Sequence, residues 1–231
     1  MSIVSRDLTG SVPSEVTPIR ASQHNSAAAS AYRTGGKRAL DLLVLTLSAP
    51  FWLSLIGIAA LLIWITEGKS PFYSQLRVGR GGKTFRLWKL RTMVVDADAR
   101  LEAHLAANPE ARAEWDATQK LKNDPRITVI GRILRKTSLD ELPQLFNVAL
   151  GDMSIVGPRP IMVNQRALYV GNAYYQLRPG LTGLWQVSQR NESEFADRVR
   201  FDNVYNRVQS LKTDLGVMSK TFGVMLRGTG Y

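Results

Sequence analysis

The sequence contains no cysteine, and this absence excludes several kinds of chemistry at once. A chain without thiols cannot use a catalytic cysteine, bind zinc or an iron–sulfur cluster through sulfur, or fold around disulfides. Histidine is nearly absent too, with only His24 and His104. A histidine-based triad and a multi-histidine metal site are therefore not expected. The 231 residues suffice for one medium-sized domain with its own core.

Acidic residues are scarce relative to basic ones: 19 Asp and Glu stand against 30 Lys and Arg, a formal net charge of +11. This surplus indicates an anionic partner, which can be nucleic acid, a phosphate-bearing substrate or an acidic membrane surface. No recognised nucleic-acid-binding motif is present, so we expect no nucleic acid partner. Residues 1–32 lack an apolar stretch and predict a flexible tail without a secretory signal.

The most informative segment is the run of 24 uncharged residues from Leu42 to Ile65. A straight helix of that length measures about 36 Å, enough to cross a bilayer core of roughly 30 Å. Pro50 lies inside the run and predicts a kink or break. Basic residues flank the run on both sides, and positive charge favours the cytoplasmic face. The pattern favours a re-entrant helix broken at Pro50 over a spanning helix, with a buried core helix as a third alternative.

Two short strands, Phe72–Val78 and Thr84–Leu90, are predicted to form a hairpin around Gly79–Gly82. This glycine turn is not a phosphate-binding loop, because Arg77 stands where that motif requires glycine. The basic hairpin either holds phosphates or lipid head groups, or is a solvated charged surface. Residues 96–120 predict helix, interrupted near Asn108. The apolar face of residues 211–226 suits a core-facing or an interfacial helix equally.

Adjacent acids, Asp140 and Glu141, are the leading candidates for chemistry. In one interpretation Ser138 and Glu141 form a capping box and the acids only begin a helix. In the other, one carboxylate attacks phosphorus and its neighbour holds Mg²⁺, with Arg135 nearby. The Pro/Gly-rich loops around Arg159 and Arg178 either aim these arginines at phosphates or serve as structural turns. Asp202 and Asp214 remain as further metal-ligand candidates.

These motifs together resemble the bacterial sugar transferase family, the monotopic phosphoglycosyl transferases, over about residues 37–231. The resemblance rests on the following ordered blocks: Lys37-Arg38-x-x-Asp41, Pro50, Gln75-x-Arg77-x-Gly79-x-x-Gly82-Lys83-x-Phe85, Lys89-x-Arg91-Thr-Met93, Asp124-Pro-Arg126, Leu134-Arg135, Leu139-Asp-Glu-Leu-Pro-Gln144, Gly151-Asp-Met-Ser154, Gly157-Pro-Arg-Pro160 and Arg178-Pro-Gly-Leu-Thr-Gly183. One departure lies in the apolar run, where Ala49 replaces the serine that many members carry before the proline.

The resemblance implies an α/β membrane-associated, monotopic protein at the cytoplasmic face of the bacterial inner membrane. Residues 1–32 are the disordered tail, residues 33–68 the re-entrant membrane helix, and residues 69–231 the cytoplasmic catalytic domain. That domain is expected to combine the small hairpin with several amphipathic or interfacial helices. A homodimer is left open.

The implied reaction transfers a sugar 1-phosphate, galactose or glucose 1-phosphate, from a UDP-sugar to undecaprenyl phosphate, the first membrane step of exopolysaccharide synthesis. Asp140 is the implied nucleophile, and Mg²⁺ is held near Glu141. Phosphate contacts carried over from the family are Lys83, Arg135, Arg159 and Arg178. The alternative is a non-catalytic membrane scaffold that binds anionic lipid through the basic hairpin. No residue that reads the sugar is identifiable.

Overall fold

The computed structural model describes residues 30–118, 121–188 and 195–226, so most of the predicted tail lies outside the described residues. Helices and strands are interspersed along the chain, as the mixed fold class predicts. The helices, after a π-helical turn at Tyr32–Gly36, are α1 (Lys37–Glu67), α2 (Ala97–Ala107), α3 (Pro109–Thr118), α4 (Val129–Lys136), α5 (Gln144–Leu150), α6 (Ala173–Gln176), α7 (Leu184–Ser188), α8 (Asp197–Val208) and α9 (Leu211–Leu226). The strands are β1 (Phe72–Val78), β2 (Thr84–Leu90), β3 (Ser154–Val156) and β4 (Gly180–Thr182).

Helix α1 contains the apolar run and continues through Pro50 as one helix of 31 residues. The predicted break at Pro50 is therefore wrong, whereas the predicted kink stays a prediction. Two side chains beside the proline donate to backbone carbonyls of the preceding turn: the Trp52 indole to Leu45 at 3.2 Å and Ser48 Oγ to Val44 at 2.7 Å. The helix ends at Gly68, which adopts the left-handed conformation typical of a helix C-terminus.

One stripe of α1 packs against the rest of the protein for most of the helix length. Its buried members are Trp52, Ile56, Ala59 and Ile63, which share a core with Leu90, Leu134 and Leu145. The opposite face exposes large apolar side chains, and Leu47 and Phe51 are about 70% exposed. By length and composition, α1 with its preceding turn is the one helix among the described residues that could span a membrane. Its covered stripe nevertheless makes it part of the protein core.

The hairpin forms as predicted, with β1 antiparallel to β2 and the turn at Gly79–Gly82. Alternation places Phe85, Leu87 and Lys89 on one face of β2, and Phe85 and Leu87 enter the central core. The opposing residues of β1 on that face are Arg77 and Gln75. This face of the hairpin therefore pairs apolar residues of β2 with polar residues of β1.

Two sequence-distant loops meet at the short parallel pair β3–β4, which the sequence analysis did not predict. The backbones touch at glycines, because a Cβ on Gly180 would lie 2.1 Å from the Gly157 nitrogen. A Cβ on Gly183 would lie 2.1 Å from the Gly157 oxygen. Any side chain at either position would separate the loops, so the two Pro/Gly-rich blocks form one rigid unit that carries Arg159.

Helices α2 and α3 confirm the predicted interruption near Asn108, whose Oδ1 accepts from the backbone N–H groups of Glu110 and Ala111. The last helix packs one face in the core, and its interfacial role stays a prediction. Helix α9 buries Asp214 and Val217 in the protein and exposes an apolar stripe on its other side. The exposed residues are Leu211, Leu215 and Phe222.

Candidate active site

The adjacent acids lie on a 3₁₀ turn, Leu139–Glu141, between α4 and α5. Ser138 enters this turn with φ 57°, the one non-glycine residue with positive φ among those described. Its side chain makes no capping hydrogen bond, so the capping-box interpretation is wrong. The left-handed conformation costs a serine about 1 kcal/mol or more. Strain beside two carboxylates is typical of a functional site rather than of a plain helix start.

Lys89 bridges the two carboxylates from the neighbouring strand. Its Nζ lies 2.8 Å from Oε1 of Glu141 and 3.4 Å from Oδ2 of Asp140. In the sequence, Lys89 stood out only as part of the motif Lys89-x-Arg91-Thr-Met93, without a predicted role. A signal was nevertheless present, because Lys89 occupies the inward face of a strand whose other inward residues are apolar. A lysine at such a position needs a buried acidic partner.

Two of the four predicted phosphate-binding residues lie close to the acids. Nη2 of Arg159 is 3.8 Å from Oε1 of Glu141. Arg135 donates from Nε to Oγ1 of Thr92 at 2.9 Å and lies close enough to Asp140 for their charges to interact. Thus an acidic pair lies beneath three cations, Lys89, Arg135 and Arg159.

Burial dominates the electrostatics of Asp140, which is 8% exposed. Loss of solvent raises the pKa of its carboxyl above the usual value, and the nearby Lys89 ammonium partly opposes that rise. The charge of Glu141 adds to the rise, and that of Arg135 lowers the pKa again. When ionised, such a poorly solvated carboxylate is a good nucleophile held in one orientation.

Two cavities meet at Glu141 and Arg159. A narrow polar cavity of about 30 Å³ is lined by Arg77, Lys89 and Gln144 as well as by these two residues. A larger cavity of about 240 Å³ extends from Ser138 and is lined mostly by apolar side chains. These side chains are Leu142, Ile155, Leu181, Val187, Met218 and Phe222. The site can therefore hold a charged group and an apolar group next to each other.

The remaining predicted residues lie elsewhere in the described structure. Arg178 donates from Nε to the Gly151 carbonyl at 3.0 Å, and Lys83 follows the hairpin turn. Asp202 accepts from the Tyr169 hydroxyl at 2.8 Å. Asp214 is fully buried and accepts from Lys37 at 2.7 Å. The structure thus places Asp202 and Asp214 in separate buried networks, away from the acidic pair.

The carboxylates of Asp140 and Glu141 are suitable ligands for a magnesium ion that also binds phosphate oxygens. The described residues contain no group of three potential ligands, so these residues alone offer no complete metal cage. Magnesium usually requires only one or two protein carboxylates when substrate phosphates and water supply the rest. The donor set therefore fits Mg²⁺ carried with a phosphorylated substrate.

The site thus combines a buried acidic pair under three cations with a mostly apolar cavity beside it. The sequence profile described as "Bacterial sugar transferase" matches residues 32–228. The chain belongs to this bacterial sugar transferase family, as its ordered motifs predict.

Three relatives illustrate the similarity. The chain is 46% identical to the "UDP-galactose-lipid carrier transferase" of Erwinia amylovora over 84% of its own length and 41% of that relative. It is 44% identical to the "Exopolysaccharide production protein ExoY" of Rhizobium meliloti over 84% of its length and 87% of that protein. It is 51% identical to the "Undecaprenyl-phosphate galactose phosphotransferase" of Salmonella typhimurium over 71% of its length and 35% of that relative. The chain thus spans less than half of two of these relatives.

Proposed function

We propose that the protein transfers a hexose 1-phosphate from a UDP-sugar to undecaprenyl phosphate, giving undecaprenyl-diphosphate-sugar and UMP. The observation that carries this proposal is the buried pair Asp140–Glu141 beneath Lys89, Arg135 and Arg159. The names of the Erwinia and Salmonella relatives both mention galactose and favour it as the sugar. A relative from Caulobacter vibrioides, 37% identical, is named as a glucose-1-phosphate transferase.

The chemistry proceeds in two displacements at phosphorus. A carboxylate oxygen of Asp140 attacks the sugar-bearing phosphorus, and the bond from that phosphorus to the bridging oxygen breaks. The bridging oxygen keeps the electron pair and leaves on UMP. An oxygen of the lipid phosphate then attacks the phosphosugar–aspartyl intermediate and releases the Asp140 carboxylate.

The cations around the pair suit both displacements. Lys89 favours the ionised form of Asp140 and, with Arg159, balances charge on the phosphoryl oxygens. Mg²⁺ bound at Glu141 would further neutralise the diphosphate. The mostly apolar cavity beside Glu141 suits the first isoprene units of the acceptor.

Membrane association belongs to the same proposal. Helix α5 also exposes apolar residues: Leu150 is 74% exposed, and Phe146, 39% exposed, packs edge-on against Trp52 of the covered stripe of α1. This apolar surface suits immersion in the cytoplasmic leaflet of the inner membrane. Ile63, near the end of α1, shares a core with Leu134. The C-terminal part of α1 is therefore covered by protein on one side, whereas a helix that spans the bilayer alone is surrounded by lipid. This packing supports entry and exit on one face.

The reaction is tested by UMP release from UDP-galactose and UDP-glucose, with undecaprenyl phosphate and Mg²⁺, by the purified full chain. Wild type should release UMP and Asp140→Asn should not, while the exposed Asp98→Asn serves as the matched control. Turnover by Asp140→Asn would exclude it as the nucleophile. Vesicle binding without UMP release from any nucleotide-sugar would instead support the scaffold alternative, in which reversing the charges of Lys83 and Arg86 detaches the protein.

Topology is tested with single cysteines, which the cysteine-free chain allows without background. Thr34→Cys and Lys69→Cys introduce thiols at exposed positions on either side of the apolar run. In sealed inverted vesicles, a membrane-impermeant maleimide should label both if α1 is re-entrant. Labelling of only one would show that α1 spans the bilayer.

A further inference from the structure

A second cationic group, formed by Arg77, Arg159 and Arg198, lies beyond the acidic pair. Arg77 lies on the inner face of the hairpin, and its Nη1 approaches the Pro160 carbonyl at 3.5 Å, beside Arg159. Arg77 and Arg159 both line the narrow polar cavity that reaches Glu141 and Lys89. The charges of Arg77 and Arg159 both act on Arg198, which comes from helix α8. Three separate segments therefore bring positive charge to one place.

Arg198 is held in a fixed orientation by aromatic rings. Its guanidinium carbon lies 4.4 Å from the centroid of the Trp185 ring and 4.7 Å from that of Phe195. Such contacts hold the flat guanidinium group and shield its faces from water, while its edge remains available for hydrogen bonds. A guanidinium edge held in this way can donate two parallel hydrogen bonds to two oxygens of one phosphate group.

Arg159 pairs with Glu141 at 3.8 Å, but the positive charge of the other two arginines is not paired within the described residues. Neither Arg77 nor Arg198 forms an ion pair with a described carboxylate, and the buried Nε atom of each has no hydrogen-bond partner there. The acid that acts on Arg198, Asp202, is itself buried and hydrogen-bonded to Tyr169. Burial and the neighbouring guanidinium groups lower the pKa of Arg198 to about 10. A bound anion would relieve this repulsion.

We propose that Arg77 and Arg198, together with Arg159, form a second phosphate subsite that binds the uridine-side phosphate of the donor and the UMP product. This inference rests on the proposed function. If Lys89 and Asp140 hold the sugar-bearing phosphorus, the next phosphate of the same diphosphate lies one bridging oxygen away. Arg77 and Arg159, which line the narrow cavity, are then placed to contact it, and Arg198 lies close enough to both arginines for their charges to interact. When the bridging bond breaks, the leaving oxygen takes a negative charge onto this phosphate, and the guanidinium groups stabilise it.

The test measures binding of UMP to the full chain in the Asp140→Asn background, where no phosphosugar intermediate can form. Arg198→Gln should weaken UMP binding by roughly ten- to hundredfold, the loss expected for one set of charge-assisted hydrogen bonds. Arg198→Lys should restore only a small part of it, because lysine keeps the charge and lacks the planar fork. Arg200→Gln, an exposed arginine on the same helix, is the matched control and should bind UMP like the parent protein.

Steady-state kinetics with otherwise wild-type protein separates this subsite from the acceptor site. Arg198→Gln should raise the KM for the UDP-sugar and the inhibition constant of UMP, and leave the KM for undecaprenyl phosphate unchanged. Unchanged UMP binding, or an equal loss with Arg200→Gln, would overturn the subsite even if wild type releases UMP. A raised KM for the lipid phosphate alone would assign the arginines to the acceptor.

If Arg198→Gln does not fold, Arg77→Gln provides the same comparison. Absence of UMP release by wild type would remove the proposed function and this inference together.

Discussion

Lys37 donates from Nζ to Oδ2 of Asp214 across 2.7 Å, and this buried ion pair joins the first turn of α1 to the first turn of α9. Asp214 has no solvent exposure, and it also accepts hydrogen bonds from the Tyr205 and Tyr32 hydroxyls. Two regions distant in sequence, around residues 32–37 and 205–214, thus meet at one carboxylate. The pair fixes the start of α1 against α9.

Removal of the lysine should destabilise the protein strongly. Lys37→Met leaves Asp214 buried without its cation, and we expect a loss of about 3 kcal/mol in the free energy of unfolding. Thermal unfolding in detergent measures this effect. Lys212→Met, at an exposed position on α9, is the control and should leave the midpoint nearly unchanged. A small effect of Lys37→Met would contradict the stabilising role of this ion pair.

Lys89→Met should affect both rate and pH dependence. The variant removes the cation between Asp140 and Glu141, so turnover should fall roughly a hundredfold, as for loss of one transition-state donor. Because Lys89 lowers the pKa of Asp140, its removal should move the low-pH loss of activity to higher pH. The pH profile of UMP release tests this shift, with Lys69→Met as the control. If turnover falls but the low-pH loss of activity stays at the same pH, Lys89 contributes to substrate binding and does not set the pKa of Asp140.

Asp202 should make stability depend on pH. Burial raises the pKa of its carboxyl from 3.8 to about 7, so folding favours the protonated form. The contribution of Asp202 to the free energy of unfolding is then fully present below pH 3.8 and is lost as the pH rises through about 7. Asp202→Asn keeps an acceptor for Tyr169 and removes the ionisation. The difference in unfolding midpoint between wild type and this variant should therefore change between pH 4 and pH 8, in favour of the variant at the higher pH. A constant difference would contradict the raised pKa.

Gly180→Ala should damage the unit that carries Arg159. The added methyl would meet the backbone nitrogen of Gly157 at 2.1 Å, and backbone cannot move aside as a flexible side chain can. We expect a cost of about 3 kcal/mol and a loss of activity. Gly216→Ala is the matched control, since its methyl enters open space on α9. This control should be neutral or stabilise the helix by up to about 1 kcal/mol. Unfolding midpoints of the two variants give the comparison.

The sequence predicted features whose causes are local. The hairpin is correct at both strand boundaries, because alternating residues and a glycine turn encode it within 19 positions. The apolar helix is equally plain from hydropathy, and the interruption at Asn108 from a capping residue before proline. Each of these signals lies within a few neighbouring residues.

Features that depend on distant partners were missed or misjudged. The strands β3 and β4 have only three residues each and pair across 26 positions of sequence, so neither has a readable pattern. The role of Lys89 depends on acids 51 and 52 positions away. Pro50 was expected to break the helix because proline does so in isolation. The protein core on one side and local side-chain hydrogen bonds hold the helix continuous there.

The covered stripe of α1 has a practical consequence for preparing the protein. An anchor joined by a linker can be cut away to leave a water-soluble enzyme, but here the same helix closes the core over Leu90, Leu134 and Leu145. Deletion of residues 1–68 would uncover these side chains and leave a fragment that self-associates. A detergent belt or nanodisc needs to cover only the outer half of the helix, where Leu47 and Phe51 lie. In this protein the long apolar helix α1 is itself part of the folded core.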